Sequence, residues 1–236
     1  MLRPNLTATA LLAIFGWPAA CSSAPRPDLD PEHQLAAAES LVADGKPAEA
    51  VPLLDELTDE VCPRRLRDRR SVVAARAQLG IGEPFEAFRK LEHFADDHPH
   101  SELRPAVTDL LWTIGKQLAE SDRGFLFFWS DRRSGRTVLE HLITRHPDTP
   151  RLADALRLLG HMAFVDQDYE LAQERFNDLL LRRPESEWRV YAQFRYAMSI
   201  AASLQGPDYD LDQMGRAARE LNSFLASNPE SPALVL

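Results

Sequence analysis

Ala172-Gln173-Glu174-Arg175-Phe176-Asn177-Asp178-Leu179-Leu180-Leu181-Arg182-Arg183-Pro184 is the stretch that decides the fold. Ala172, Phe176 and Leu179 stand four and three residues apart, which puts them on one face of a helix, and Pro184 five residues on stops it. The same register returns four more times. It reads Ala50, Leu54, Leu57 and then Cys62-Pro63; Ala87, Leu91, Phe94, Pro99; Gly135, Leu139, Leu142, Pro147; and Ala217, Leu221, Phe224, Pro229. A small residue heads every copy, so each of these helices can lie close against a partner helix.

Working outward, the starts repeat as well. Gly45-Lys46-Pro47-Ala48-Glu49-Ala50 matches Gly82-Glu83-Pro84-Phe85-Glu86-Ala87, with Pro suited to a first helical turn and Glu favourable to the helix dipole. Two residues after the last four breakers stand Ser101, Thr149, Ser186 and Ser231, each placed to cap the next helix, with Pro150 and Pro232 following in its first turn. The repeating unit is a helical hairpin. Composition agrees: 44% hydrophobic residues suffice for a core, while 10 Gly and 8% aromatics in 236 residues argue against a strand-rich sandwich or barrel. The expected fold is all-α, about five hairpins long. A net charge of −9 argues against a nucleic-acid partner.

The spacing of the register resembles the second helix of a tetratricopeptide repeat, and Leu159-Gly160 fall at that family's Leu-Gly pair in the first helix. The units are offset by 37, 48, 37 and 45 residues, against a family period of about 34, so the excess belongs to longer helices and inserted loops. The resemblance implies a tetratricopeptide-like α-solenoid whose first helices line a groove for a peptide or helix.

The N-terminus sets the expected compartment. Arg3 is a short positive region, and Leu6 to Trp17 is an apolar run too short to span a bilayer. It ends in Pro18-Ala19-Ala20-Cys21, which resembles the lipobox of bacterial lipoproteins, with Pro18 where an aliphatic residue is usual; plain signal-peptidase cleavage after Ala20 is the other reading. By that resemblance Cys21 is lipidated and anchors the protein, and Ser22 favours the outer membrane. Residues 1–20 are then a signal peptide, 21–33 a Pro-rich tether reaching about 20 Å or more, and 34–236 the repeat domain. Cys62 has no partner for a disulfide once Cys21 carries lipid, and is expected as a half-buried residue at a helix end.

Several clusters compete as sites. Phe125, Phe127, Phe128 and Trp129 read as a loop insert after a helix from about Glu102 to Ser121. Such apolar residues either fold back onto the core or meet a partner or membrane. Gln205–Asp210 reads as a second, smaller insert. Trp112, Trp188, Tyr191, Phe194 and Tyr196 fall on first helices, as core or, for Trp188 and Tyr191, as anchors for a partner. His93, Asp96, Asp97, His98 and His100 read as an ordinary helix end rather than a metal site. Arg64, Arg65, Arg67, Arg69 and Arg70 read as a solvated helix start, or as a contact for anionic headgroups or an acidic partner. No phosphate loop, nucleophile elbow, zinc signature or acid pair stands out, so no catalytic residue, cofactor, metal or small-molecule substrate is expected.

Cys21, the five hairpins, and the aromatic segment running into Ser130-Asp131-Arg132 together resemble the BamD-like family of envelope tetratricopeptide lipoproteins. The run Asp208-Tyr209-Asp210-Leu211-Asp212-Gln213 also resembles that family's lead-in to its third hairpin, an alignment that would put extra repeats at the front. The resemblance implies an outer-membrane lipoprotein facing the periplasm. It would bind other proteins, either barrel-assembly subunits or client peptides, in barrel-protein assembly. A periplasmic scaffold recruiting cell-wall enzymes or an export machine is the alternative. Ser231–Leu236 carries the start signal of a further first helix.

Overall fold

Pro47 and Pro84 open helices directly after Gly45 and Gly82, and the backbone shows why those glycines stand there. A computed structural model describes residues 30–121, 124–204 and 211–229, the side chains of 124–130 and of Gln213 excepted. Gly45 and Gly82 have φ of 73° and 86°, the left-handed region where a Cβ is penalised. The next residue's N–H reaches back five residues in both turns, Lys46 to the Leu41 carbonyl (2.8 Å) and Glu83 to that of Gln78 (2.9 Å). This is the Schellman helix ending. The turn recurs at Gln167, with φ of 63° and Asp168 donating to the Ala163 carbonyl at 2.9 Å.

Among the described residues the chain is all-helical. The elements are α1 (Pro31–Ala43), α2 (Pro47–Glu56), α3 (Arg64–Gly80), α4 (Pro84–Arg89), α5 (Phe94–Asp97), α6 (Arg104–Ala119), α7 (Gly124–Arg145), α8 (Leu152–Val165), α9 (Tyr169–Arg182), α10 (Arg189–Ala202) and α11 (Leu211–Ser227). Five hairpins follow from the packing: α1 with α2, α3 with α4, α6 with α7, α8 with α9, and α10 with α11. Each also packs on the next hairpin, the nearest-neighbour pattern of a solenoid. None of the described helices is long and apolar enough to cross a membrane.

The register predicts the core. Every small and apolar member of the five copies is buried except Leu221, which is half-buried. Two clusters share α3: Val73 and Ala77 join Leu35, Ala50 and Leu57 in front, while Val72 and Ala75 join the long cluster running through Leu91, Leu139 and Phe176 to Ala192. The small residues permit close approach. A Cβ at Gly160 would stand 2.8 Å from the Phe176 ring, and one at Gly135 would stand 2.5 Å from the Ala119 backbone nitrogen.

Four expectations change. The Phe125–Trp129 segment is not a loop but the opening of α7, since no breaker separates it from the rest of that helix. Helix α1 begins at Pro31, before the expected end of the tether. Cys62 is fully buried, its Sγ 3.7 Å from the Pro63 carbonyl. The caps sit one turn early. The hydroxyls of Ser101, Thr149 and Ser186 accept from the N–H two residues on, at 3.2, 3.2 and 3.1 Å, and the helices start only after that turn. The signal segment, Cys21, most of the tether, the 205–210 insert and Ser231 with its sequel lie outside the described residues.

Candidate functional site

Helix α8 buries nine of its fourteen residues. What it leaves to solvent is Asp154, Arg157, His161, Phe164 and Val165. The first four are spaced three, four and three apart, which draws them into one line along the helix. Opposite that line lies the start of α10, the first helix of the next hairpin, with Trp188 and Tyr191, both half-buried. Long side chains bridge the two. Trp188 Nε1 donates to Asp154 Oδ1 at 2.8 Å, the Arg157 guanidinium lies 4.3 Å over the Trp188 ring, and that of Arg195 lies 3.8 Å over Phe164. Tyr191 stands edge-on to Phe176 and Trp188, with centroids 6.0 and 6.2 Å apart.

Helix α7 contributes Arg132, which donates to the Met162 carbonyl (3.2 Å) and pairs with Asp166 at 3.0 Å; Arg136 holds the same carboxylate. Desolvation pushes the His161 pKa down, and the nearby charges of Arg195, Arg157 and Arg132 push it further. Three cations thus gather around one exposed imidazole. Trp, Tyr and Arg are the residue types enriched among those that dominate the energy of protein interfaces.

Of the residues singled out in the sequence, Trp188 and Tyr191 meet here. Trp112 and Tyr196 pack half-buried against the long core, and Phe194 stacks near Phe224 at 5.5 Å. The side chains of Phe125, Phe127, Phe128 and Trp129 fall outside what is described. Arg157, His161, Phe164 and Arg195 were not anticipated, although the spacing of 154, 157, 161 and 164 on an otherwise apolar helix is visible in the sequence.

Four arginines of the Arg64–Arg70 run are paired within the chain. Arg65 pairs with Glu32 of α1 at 2.7 Å, Arg69 forks Glu39 of α1 through two bonds, and Arg70 holds the Leu57 carbonyl and Asp59. Arg67 caps the turn through the Cys62 and Asp59 carbonyls. The hydrogen bond from Arg70, and then its charge, keeps the Asp59 carboxyl below the usual carboxylate range. The run therefore ties α3 to the first hairpin. In the histidine-rich helix end, Asp96 pairs with Arg145 and His98 stacks on Phe94 (5.1 Å). Among the described residues no set of three His, Cys, Asp or Glu converges as metal ligands would.

No family model and no curated protein matches the sequence. Among solved structures, the chain is similar to a MamA protein at TM-score 0.47 and 13% identity, over 85% of this chain and 93% of that one. It is also similar to MamA from Desulfovibrio magneticus RS-1, residues 41 to the end (TM-score 0.41, 14% identity, 86% and 97% covered). A third likeness is to a Podosopora anserina putative kinesin light chain with nearly identical TPR-like repeats (TM-score 0.40, 15% identity, 87% and 100% covered). At these levels of similarity no function transfers to this chain.

Proposed function

We propose that this chain is a protein-binding scaffold whose partner docks on the face shared by α8 and α10. The observation that carries the reading is the solvent side of α8: Val165 apart, what it leaves uncovered is one line of polar, charged and aromatic side chains, met by Trp188 and Tyr191. Such a face gives a partner large, rigid contacts and a few directional polar groups. No catalytic step is part of this reading.

The finer reading rests on the N-terminal pattern and the BamD-like resemblance. Cys21 carries lipid, the protein is held at the outer membrane facing the periplasm, and its partners are barrel-assembly subunits. Full-length protein extracted from membranes tests each part separately. Cys21→Ala is expected to move the protein from the membrane to the soluble fraction. Barrel-assembly subunits are expected to co-purify with the wild type and to fall at least about tenfold with Trp188→Ala, at an unchanged helical circular dichroism. Recovery of cell-wall enzymes or export components instead would replace the assembly role by the alternative scaffold role. Undiminished recovery with Trp188→Ala would remove the α8–α10 face as the docking site.

A further inference from the structure

We propose that the α8–α10 face takes an acidic peptide segment of its partner and holds the peptide's carboxylates with Arg157 and Arg195. The inference rests on the protein-binding reading above and names the chemistry of what binds.

Both guanidiniums spend one flat face on an aromatic ring, Arg157 on Trp188 and Arg195 on Phe164. The terminal nitrogens are then the part of each guanidinium that can meet a carboxylate. Among the described residues neither guanidinium has an acceptor; the Nε of each is buried, and the terminal nitrogens are not. A carboxylate that reaches the terminal nitrogens gains charge-assisted hydrogen bonds that no group of the chain supplies. The nearby acids are turned to other partners. Asp154 accepts from Trp188 Nε1 and lies near Arg151, while Asp166 holds Arg132 and Arg136.

The setting adds selectivity. Arg157 and Arg195 lie on a chain of net charge −9, so an acidic segment is drawn to them and repelled elsewhere. Peptide fits better than a lipid surface because the donors are half-buried along a narrow line between two helices, with Trp188 and Tyr191 as anchors. A bilayer would meet a broad exposed patch instead.

The test uses the purified full chain and a labelled short peptide of alternating Glu and Leu, with its Gln/Leu counterpart as control. The wild type is expected to bind the Glu/Leu peptide at least about tenfold more tightly than the Gln/Leu peptide, with the gap narrowing at high salt. Arg157→Gln with Arg195→Gln should bring the Glu/Leu affinity down to the Gln/Leu level. Arg157→Lys with Arg195→Lys should leave an intermediate affinity. If the double Gln variant loses its helical circular dichroism, the two-peptide comparison on the wild type decides alone. Equal binding of both peptides overturns the inference, as does Glu/Leu binding untouched by the substitutions. So does binding to phosphatidylglycerol vesicles through these arginines with no binding of the acidic peptide. Equal binding that Trp188→Ala weakens for both peptides would leave the protein-binding reading standing and remove only the preference for acid.

Discussion

Two groups of arginines in this chain have opposite fates. Five stand within the seven residues from Arg64 to Arg70, a cluster any reader of the sequence would notice. Four of them are consumed internally by Glu32, Glu39, Asp59 and the carbonyls of the turn before α3. Arg157 and Arg195 are far apart in sequence and unremarkable there, yet the stacking of two hairpins brings both near His161, each over an aromatic ring and without an acceptor among the described residues. Local charge density shows where a sequence is charged. The fold decides where charge stays unmet.

The largest expected effects test whether the two regions are separable. Phe176 is fully buried and stands edge-on to Tyr191. Phe176→Ala should cost about 3–5 kcal/mol in denaturant unfolding and weaken binding at the α8–α10 face as well. Leu57 belongs to the front cluster only. Leu57→Ala should cost about 2–5 kcal/mol, with hydrogen exchange rising in α1–α3 and partner binding kept, because hairpins in a stack contact only their neighbours. Loss of binding with Leu57→Ala would show one indivisible unit and break the comparison.

Between the regions lies His146, 3% exposed at the end of α7, near His141, Arg104 and Arg145. Burial, reinforced by His141 and by the charges of Arg104 and Arg145, lowers its pKa from the ordinary 6.5 to about 4. Below pH 6.5 the unfolded chain takes up this proton while the folded chain does not, so stability is full above pH 6.5 and falls as pH drops toward 4. A loss on the order of 1–3 kcal/mol is expected across that window, and His146→Leu should flatten it in melting curves taken against pH.

Smaller effects sharpen the contrast. Gln167 holds the left-handed turn position that Gly45 and Gly82 hold in the front hairpins. Gln167→Gly should therefore stabilise by about 1 kcal/mol in urea titration. Arg69→Gln removes a half-exposed pair with Glu39 and should cost about 0.2–1 kcal/mol, whereas Arg157→Gln should leave stability within about 0.5 kcal/mol. A large stability loss from Arg157→Gln would mean that its stack on Trp188 serves the fold rather than a partner.

The hairpins were legible because burial follows the helical period: Ala172, Phe176 and Leu179 face one way whatever surrounds them, and Pro184 stops the helix in any context. The glycine turns were legible for the same local reason. Phe125–Trp129 misled because aromatic density suggested a loop insert where the chain simply continues as helix. Helix α4 also ends early. The backbone tightens to bonds three residues back through Leu91 and Phe94 while both side chains stay buried, which the four-and-three spacing does not reveal. Arg157 and Arg195 were hidden for a different reason. An unmet donor is defined by the absence of an acceptor in space, and acceptors arrive from other hairpins.

Site-specific photocrosslinking in cells tests the central claim most directly, with p-benzoylphenylalanine placed at the position of His161 on the α8–α10 face or at that of Arg65 on the front hairpins. A discrete partner adduct is expected from the His161 position, lost on adding Arg157→Gln with Arg195→Gln, and none from the Arg65 position. Adducts from the Arg65 position alone, or adducts at the His161 position that survive both substitutions, would contradict it.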